Sequence, residues 1–251
     1  MSISTERKGR ALYISFDRPK AKNALDIAAY QAATAALREA DESDEIRVVV
    51  LRGAGGAFTA GNDLKDFIDN PPVKLDAPVY EFMRQLVAMR KPLIAAVEGV
   101  AIGIGTTMLL HCDLVYAKEG TIFMLPFVNL GLIPEAGSSF LLPRRLGHRR
   151  AAELLFFGDR FDAARALELG LVNEVLDEES FEARVEERVE ALAAKPPRAM
   201  IASKALLRGH ERDALLAHID EEARVLGARM SDAEVKEAIN AFYEKRPPKF
   251  D

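Results

Sequence analysis

The chain has few of the residues that mark several protein classes. Of its 251 residues only one is cysteine, Cys112. No intrachain disulfide is therefore open to it, and a reducing, cytoplasmic setting is expected. Its four histidines (His111, His148, His210 and His218) are scattered without ligand spacing, which argues against a zinc site. Long apolar runs are missing too. The longest candidate, "PLIAAVEGVAIGIGTTMLLHCDL", is broken by Glu98, Thr106, Thr107, His111 and Asp113 before it reaches the ~18 residues of a membrane span. The start, "MSISTERKGR", lacks the apolar stretch of a signal peptide. Positive charge is not in excess: the formal net charge is -5, which disfavours nucleic acid as a partner. Two phosphate-binding signatures are also missing. There is no G-x-x-x-x-G-K-[ST]. "GAGGAF" (53–58) and "GIGTTM" (103–108) put Phe58 and Met108 where a dinucleotide fingerprint needs its third glycine.

The composition that remains, 49% hydrophobic and 29% charged, is that of a globular chain able to bury one large core. "ALYISF" (11–16) alternates like a strand. Asp26 reads as the N-cap of a helix running to about Ala40, with Ile27, Tyr30, Ala33 and Leu37 on one face. "IRVVVLRG" (46–53) and "KPLIAAVEG" (91–99) are short continuous apolar runs, the pattern of strands covered on both faces. "GIGTTMLLHC" reads as a turn opening a helix, and "DLVYA" as a third strand. Helices follow at 151–157 and 162–169, the latter closed by Gly170, and then a short strand in "LVNEVL". From Asp177 the pattern is helical, broken at "KPP" (195–197) and "RG" (208–209), so a helical appendage is expected at the C-terminus. Residues 65–80 read as a polar, proline-containing loop. Alternating strand and helix imply an α/β fold with a largely parallel sheet.

Three features could carry chemistry. The two Gly-rich loops each follow a buried strand and can expose backbone N–H groups at one sheet edge, where an oxyanion could bind. Ser138 and Ser139 have no G-x-S-x-G context and read as polar residues at a helix start, and Cys112 reads as a buried structural thiol. Glu135 stands alone among Leu132, Ile133, Pro134, Ala136 and Gly137. It is either an exposed acid favoured by a helix N-terminus or a desolvated general base with a raised pKa, and the residues alone leave both open.

Taken together, seven stretches resemble the crotonase (enoyl-CoA hydratase/isomerase) superfamily. They are "DRPKAKNAL" (17–25), "GAFTAGNDL" (56–64), residues 91–117, "LGLIPEAGSSFLLPRRLG" (130–147), "GLVNEVL" (170–176), "KPPRAMIASKALLR" (195–208) and "AFYEKRPPKF" (241–250). They stand in family order and cover nearly the whole chain. The resemblance implies a crotonase-like (ClpP/crotonase) spiral of ββα turns over residues 1–195, carrying an acyl-CoA site. Residues 196–251 would form a helical region that builds a homotrimer or dimer of trimers and completes the CoA pocket. It also implies an acyl-CoA substrate and no cofactor beyond the coenzyme A of that substrate. The oxyanion hole would be the backbone N–H groups of Asn62 and Ile104. CoA would run along Ala60, Gly61, Asn62, Asp63 and Leu64, with Phe242 and Lys245 reaching it from the C-terminus.

The departures from the hydratase pattern narrow the chemistry. Hydratases of this family use two glutamates, and those positions hold Thr107 and Phe127 here, which become acyl-pocket candidates. Hydration needs one group to activate water and another to protonate carbon, and a threonine and a phenylalanine cannot supply that pair. Glu135, in its "PEA" context, resembles the single catalytic glutamate of Δ3,Δ2-enoyl-CoA isomerases of the peroxisomal type. The expected activity is therefore that isomerisation within fatty acid β-oxidation. Hydration or another crotonase-type reaction is the alternative, and a non-catalytic acyl-CoA-binding protein is a third.

Overall fold

The apolar runs of the sequence become the inner strands of a sheet. A computed structural model of the chain describes residues 2–250. It opens with a hairpin, β1 (Ile3–Lys8) and β2 (Ala11–Phe16), followed by α1 (Ile27–Glu42) and β3 (Val48–Gly53). Then come α2 (Leu64–Asp69), α3 (Pro78–Ala88), β4 (Leu93–Val97), β5 (Val100–Ile102), α4 (Ile104–Thr107), β6 (Leu114–Lys118) and β7 (Ile122–Met124). The third stretch holds α5 (Ser138–Leu146), α6 (His148–Phe157), β8 (Phe161–Asp162), α7 (Ala163–Glu168) and β9 (Glu174–Leu176). Four helices end the chain: α8 (Phe181–Ala193), α9 (Pro197–Arg208), α10 (Arg212–Arg229) and α11 (Ala233–Glu244).

Six strands form one sheet in the order β1-β2-β3-β4-β6-β9, parallel throughout except for the β1–β2 hairpin. β5, β7 and β8 form a second, three-stranded sheet. The chain therefore winds as a spiral: β4 is followed by β5 and β6 by β7, each pair shared between the two sheets. The inner strands are covered on both sides, as continuous apolar runs require. Val49, Leu51, Leu93 and Ala95 join the main core under α1 and α3. Their neighbours Val48, Val50, Ile94 and Ala96 face Phe181, Val185 and Val189 of α8. Asp26 caps α1 as its position suggests, accepting a hydrogen bond from the Ala29 N–H at 2.8 Å.

Three segments differ from the sequence reading. Residues 65–80 are not all loop: α2 is capped by the Asp63 carboxylate, and α3 begins at Pro78. The helix expected in "GIGTTMLLHC" is one turn, α4, followed by a 3-10 turn at Met108–His111. The expected C-terminal appendage divides in two. α9 lies on the outside, with Leu206 and Leu207 83% and 76% exposed. By contrast, α10 and α11 fold back onto the spiral and place Leu215, Ile219, Ala223, Leu226, Val235 and Ile239 in the main core. No described helix is long and apolar enough to cross a membrane.

Candidate active site

Backbone stitching brings the two Gly-rich loops together. The Thr59 N–H donates to the Val100 carbonyl at 2.9 Å, and the Ile102 N–H donates to the Thr59 carbonyl at 3.0 Å. Two residues after Thr59, Gly61 adopts φ +90, and a Cβ there would lie 2.7 Å from the Ile102 carbonyl oxygen. Only glycine allows that approach. Asn62 follows Gly61, and Ile104 opens α4 after Gly103 (φ 56, ψ -119). The N–H groups of Asn62 and Ile104 have no acceptor among the backbone or side-chain hydrogen bonds of the described residues. The first loop is fastened from below by Asn23, a residue the sequence reading passed over. Its amide donates to the carbonyls of Ala54 (2.8 Å) and Ala57 (2.6 Å).

Glu135 is 4% exposed, which discards the surface-cap alternative. Thr107 donates its hydroxyl to Glu135 Oε1 at 2.5 Å, while Oε2 is buried with no protein partner. Burial pushes the Glu135 pKa up to about 8. The Thr107 hydrogen bond opposes that rise, and the nearby charge of Glu222 adds to it. The acid sits before a tight turn, with Ala136 at φ 56 and Gly137 at φ 70. His111 Nε2 lies 2.7 Å from the Ala136 carbonyl, which can only accept, so this nitrogen carries the proton. Burial holds the His111 pKa down at about 3 and the ring neutral.

Glu222 on α10 was not foreseen. It is 5% exposed and accepts from the Gly137 N–H (2.6 Å), the Ser139 N–H (3.1 Å) and the Ser139 hydroxyl (2.5 Å). Burial pushes its pKa up to about 7 against those three bonds. A signal was present in the sequence: Glu222 falls on the same helical stripe as Leu215, Ile219 and Leu226.

Beside the first loop lies a groove of about 600 Å³, within the range of small-molecule sites, whose walls include neither Ile104 nor Glu135. Leu25, Ile27, Tyr30, Asn62, Asp63 and Phe67 are among its walls. Tyr30 connects the groove to the acid. It lines the groove, donates its hydroxyl to the Asn62 side chain, and its phenol is held well above its usual range by burial and by the charge of Glu135. Of the expected CoA contacts, Asn62 and Asp63 line this groove, while Ala60, Gly61, Leu64, Phe242 and Lys245 do not. Phe242 is 58% exposed at the end of α11, and Lys245 is its C-cap, in a left-handed conformation. Phe127 is buried.

A two-sheet spiral with paired Gly-rich turns at one edge, here beside the buried Glu135, is the crotonase fold. The chain belongs to the enoyl-CoA hydratase/isomerase (crotonase) superfamily, whose description it matches over residues 6–251. It is 37% identical to rat (Rattus norvegicus) enoyl-CoA delta isomerase 2 over 98% of its length, and spans 64% of that relative. A probable enoyl-CoA hydratase of Rhodobacter capsulatus is 35% identical, with 94% of this chain and 93% of the relative covered. Among solved structures, an enoyl-CoA hydratase/isomerase from Pseudoalteromonas atlantica superposes over the full length of both chains, with TM-score 0.95 and 38% identity.

Proposed function

We propose that the protein is a Δ3,Δ2-enoyl-CoA isomerase in which Glu135 alone carries the proton. The observation that supports this most is the state of that carboxyl. It is buried, held through Oε1 by Thr107, and bare at Oε2. The thioester oxygen of a 3-enoyl-CoA would accept from the N–H groups of Asn62 and Ile104. Those donors stabilise the negative charge that develops when a C2 proton leaves. Glu135 Oε2 takes that proton, and the electron pair of the broken C–H bond delocalises into the thioester and the adjoining double bond as a dienolate. The same carboxyl returns the proton at C4, so the double bond moves from C3–C4 to C2–C3. A carboxyl with a pKa near 8 suits both halves of this cycle, because a proton carrier works best when its pKa lies near the operating pH.

Relatives that include both an isomerase and a probable hydratase make hydration the reading to test against. Thr107 and Phe127 at the two other acid positions favour isomerisation. The discriminating experiment incubates the protein with trans-3-hexenoyl-CoA, without a coupling hydratase, and identifies products by mass and chromatography. The 2-enoyl thioester is expected, and Glu135→Gln should abolish it. Formation of 3-hydroxyacyl-CoA from the 2-enoyl thioester, or an inactive wild type across several chain lengths, would overturn the proposal. We further propose assembly into a trimer or dimer of trimers, supported by the exposed Leu206 and Leu207 on α9.

A further inference from the structure

We propose that Glu222 and His111 are positioning residues for Glu135, gripping opposite ends of the peptide bond that joins Ala136 to Gly137. The inference rests on Glu135 being the proton carrier. The carbonyl of that peptide belongs to Ala136 and accepts from His111 Nε2 at 2.7 Å. Its N–H belongs to Gly137 and donates to Glu222 Oε2 at 2.6 Å. A single peptide plane is thus held at both poles, one residue beyond the acid. It needs holding. Ala136 carries a side chain in a left-handed conformation, and Gly137 is left-handed as well. The turn also runs close over α10: a Cβ on Gly137 would lie 2.4 Å from Leu215 Cδ1. Rotation of this plane would swing the Glu135 carboxyl relative to the Asn62 and Ile104 donors. The clamp fixes that angle.

Glu222 also acts through charge. Groups facing Glu135 are Thr107 from α4, Tyr30 from α1, Tyr80 from α3 and Glu222 from α10. Around Glu222 stand Ser139, His218 (3.8 Å) and Tyr80, with the Arg84–Asp220 ion pair joining α3 to α10 nearby. Among these, the charge that acts on Glu135 is that of Glu222, and it makes Glu135 hold its proton to higher pH. The Ser139–His218–Glu222 group is not a nucleophile triad. The same nitrogen, His218 Nε2, faces both Ser139 Oγ at 2.8 Å and Glu222, so the ring does not bridge serine to acid, and the hydroxyl already donates to Glu222.

The test measures kcat, KM and the pH profile of trans-3-hexenoyl-CoA isomerisation for wild type, Glu135→Gln, Glu222→Gln and His111→Leu. Glu222→Gln should lower kcat about ten-fold or more with KM within about two-fold, as expected for a displaced reacting group. Its acid limb in kcat/KM should move to lower pH by about half a pH unit or more, because a repelling charge is gone. His111→Leu should lower kcat without moving the limb, since the ring it removes is neutral. If Glu222→Gln does not fold, Ser139→Ala takes its place. That variant strips one donor from Glu222, leaves it protonated at higher pH, and should move the limb the same way. Wild-type kcat and an unmoved limb in these variants would overturn the proposal. So would a lowered melting temperature with unchanged kcat and profile, which would mean a purely structural role. An active Glu135→Gln, or an inactive wild type, would instead remove the reading on which the clamp depends.

Discussion

Glu135→Gln should abolish turnover and yet gain stability relative to wild type as the pH rises. In the unfolded chain the carboxyl ionises near 4.5, whereas burial in the folded protein holds its proton to about 8. Between those values the unfolded state binds fewer protons than the folded one, so stability falls as pH rises through the window and levels off above it. At 1.36 kcal/mol per pH unit the whole window corresponds to about 5 kcal/mol. Relaxation and water entry reduce this, leaving about 2–5 kcal/mol. Glutamine lacks the slope. Its buried amide group adds a fixed cost of about 1–3 kcal/mol, since nothing stands ready to accept its N–H bonds, but that cost does not change with pH. The diagnostic quantity is therefore the stability gap between variant and wild type at pH 5 and again at pH 8.5. The gap should move in favour of the variant by at least about 2 kcal/mol, equivalent to a relative melting shift on the order of 5–10 °C for a chain of this size. Chemical or thermal unfolding at one fixed protein concentration reads it, because any assembly would make the midpoint concentration-dependent. A gap equal at the two pH values would refute the reasoning, for it would mean that Glu135 is ionised and solvated in the folded protein.

Two other changes probe the frame around the acid. Gly61→Ala forces a Cβ to within 2.7 Å of the Ile102 carbonyl at φ +90. It should push the Asn62 N–H off the thioester oxygen and lower kcat by about 10²–10³, the loss typical of one oxyanion donor; unchanged steady-state kinetics would remove Asn62 from that role. Leu206→Glu combined with Leu207→Glu places charge on the outer face of α9, where neither side chain is buried within the chain. Analytical ultracentrifugation should show the protein sedimenting as a monomer with its circular dichroism intact. An unaltered sedimentation coefficient would exclude α9 from the assembly interface.

What could be read from the sequence, and what could not, follows from how far apart the interacting groups lie. Val48–Leu51 and Leu93–Val97 are legible because a strand buried on both faces must be apolar at every position. α1 is legible because its cap and its stripe are local. β5, β7 and β8 have two or three residues each, too few to display a period, and they exist because neighbouring strands of the second sheet supply the hydrogen bonds. β1 hides for another reason: as an edge strand it buries only Ile3 and otherwise shows polar side chains to solvent.

The candidate site divides along the same line. The glycines announce themselves by type, and Glu135 by its apolar company. Yet that company does not bury it. Pro134 and Ala136 flank an acid that could as well have faced water. What closes over the turn is α10, from far along the chain, with Leu215 and Ile219 packed against Gly137 and Glu222, 85 residues on, tied to its N–H. The periodicity of α10 shows that position 222 points inward, but no local pattern shows what it meets there. The raised pKa on which a single proton carrier depends is thus a property of the closed fold, and of a helix that the family motif around Glu135 does not include. A change on the buried face of α10 should therefore alter the chemistry as well as the stability, whereas one on its exposed face should alter neither.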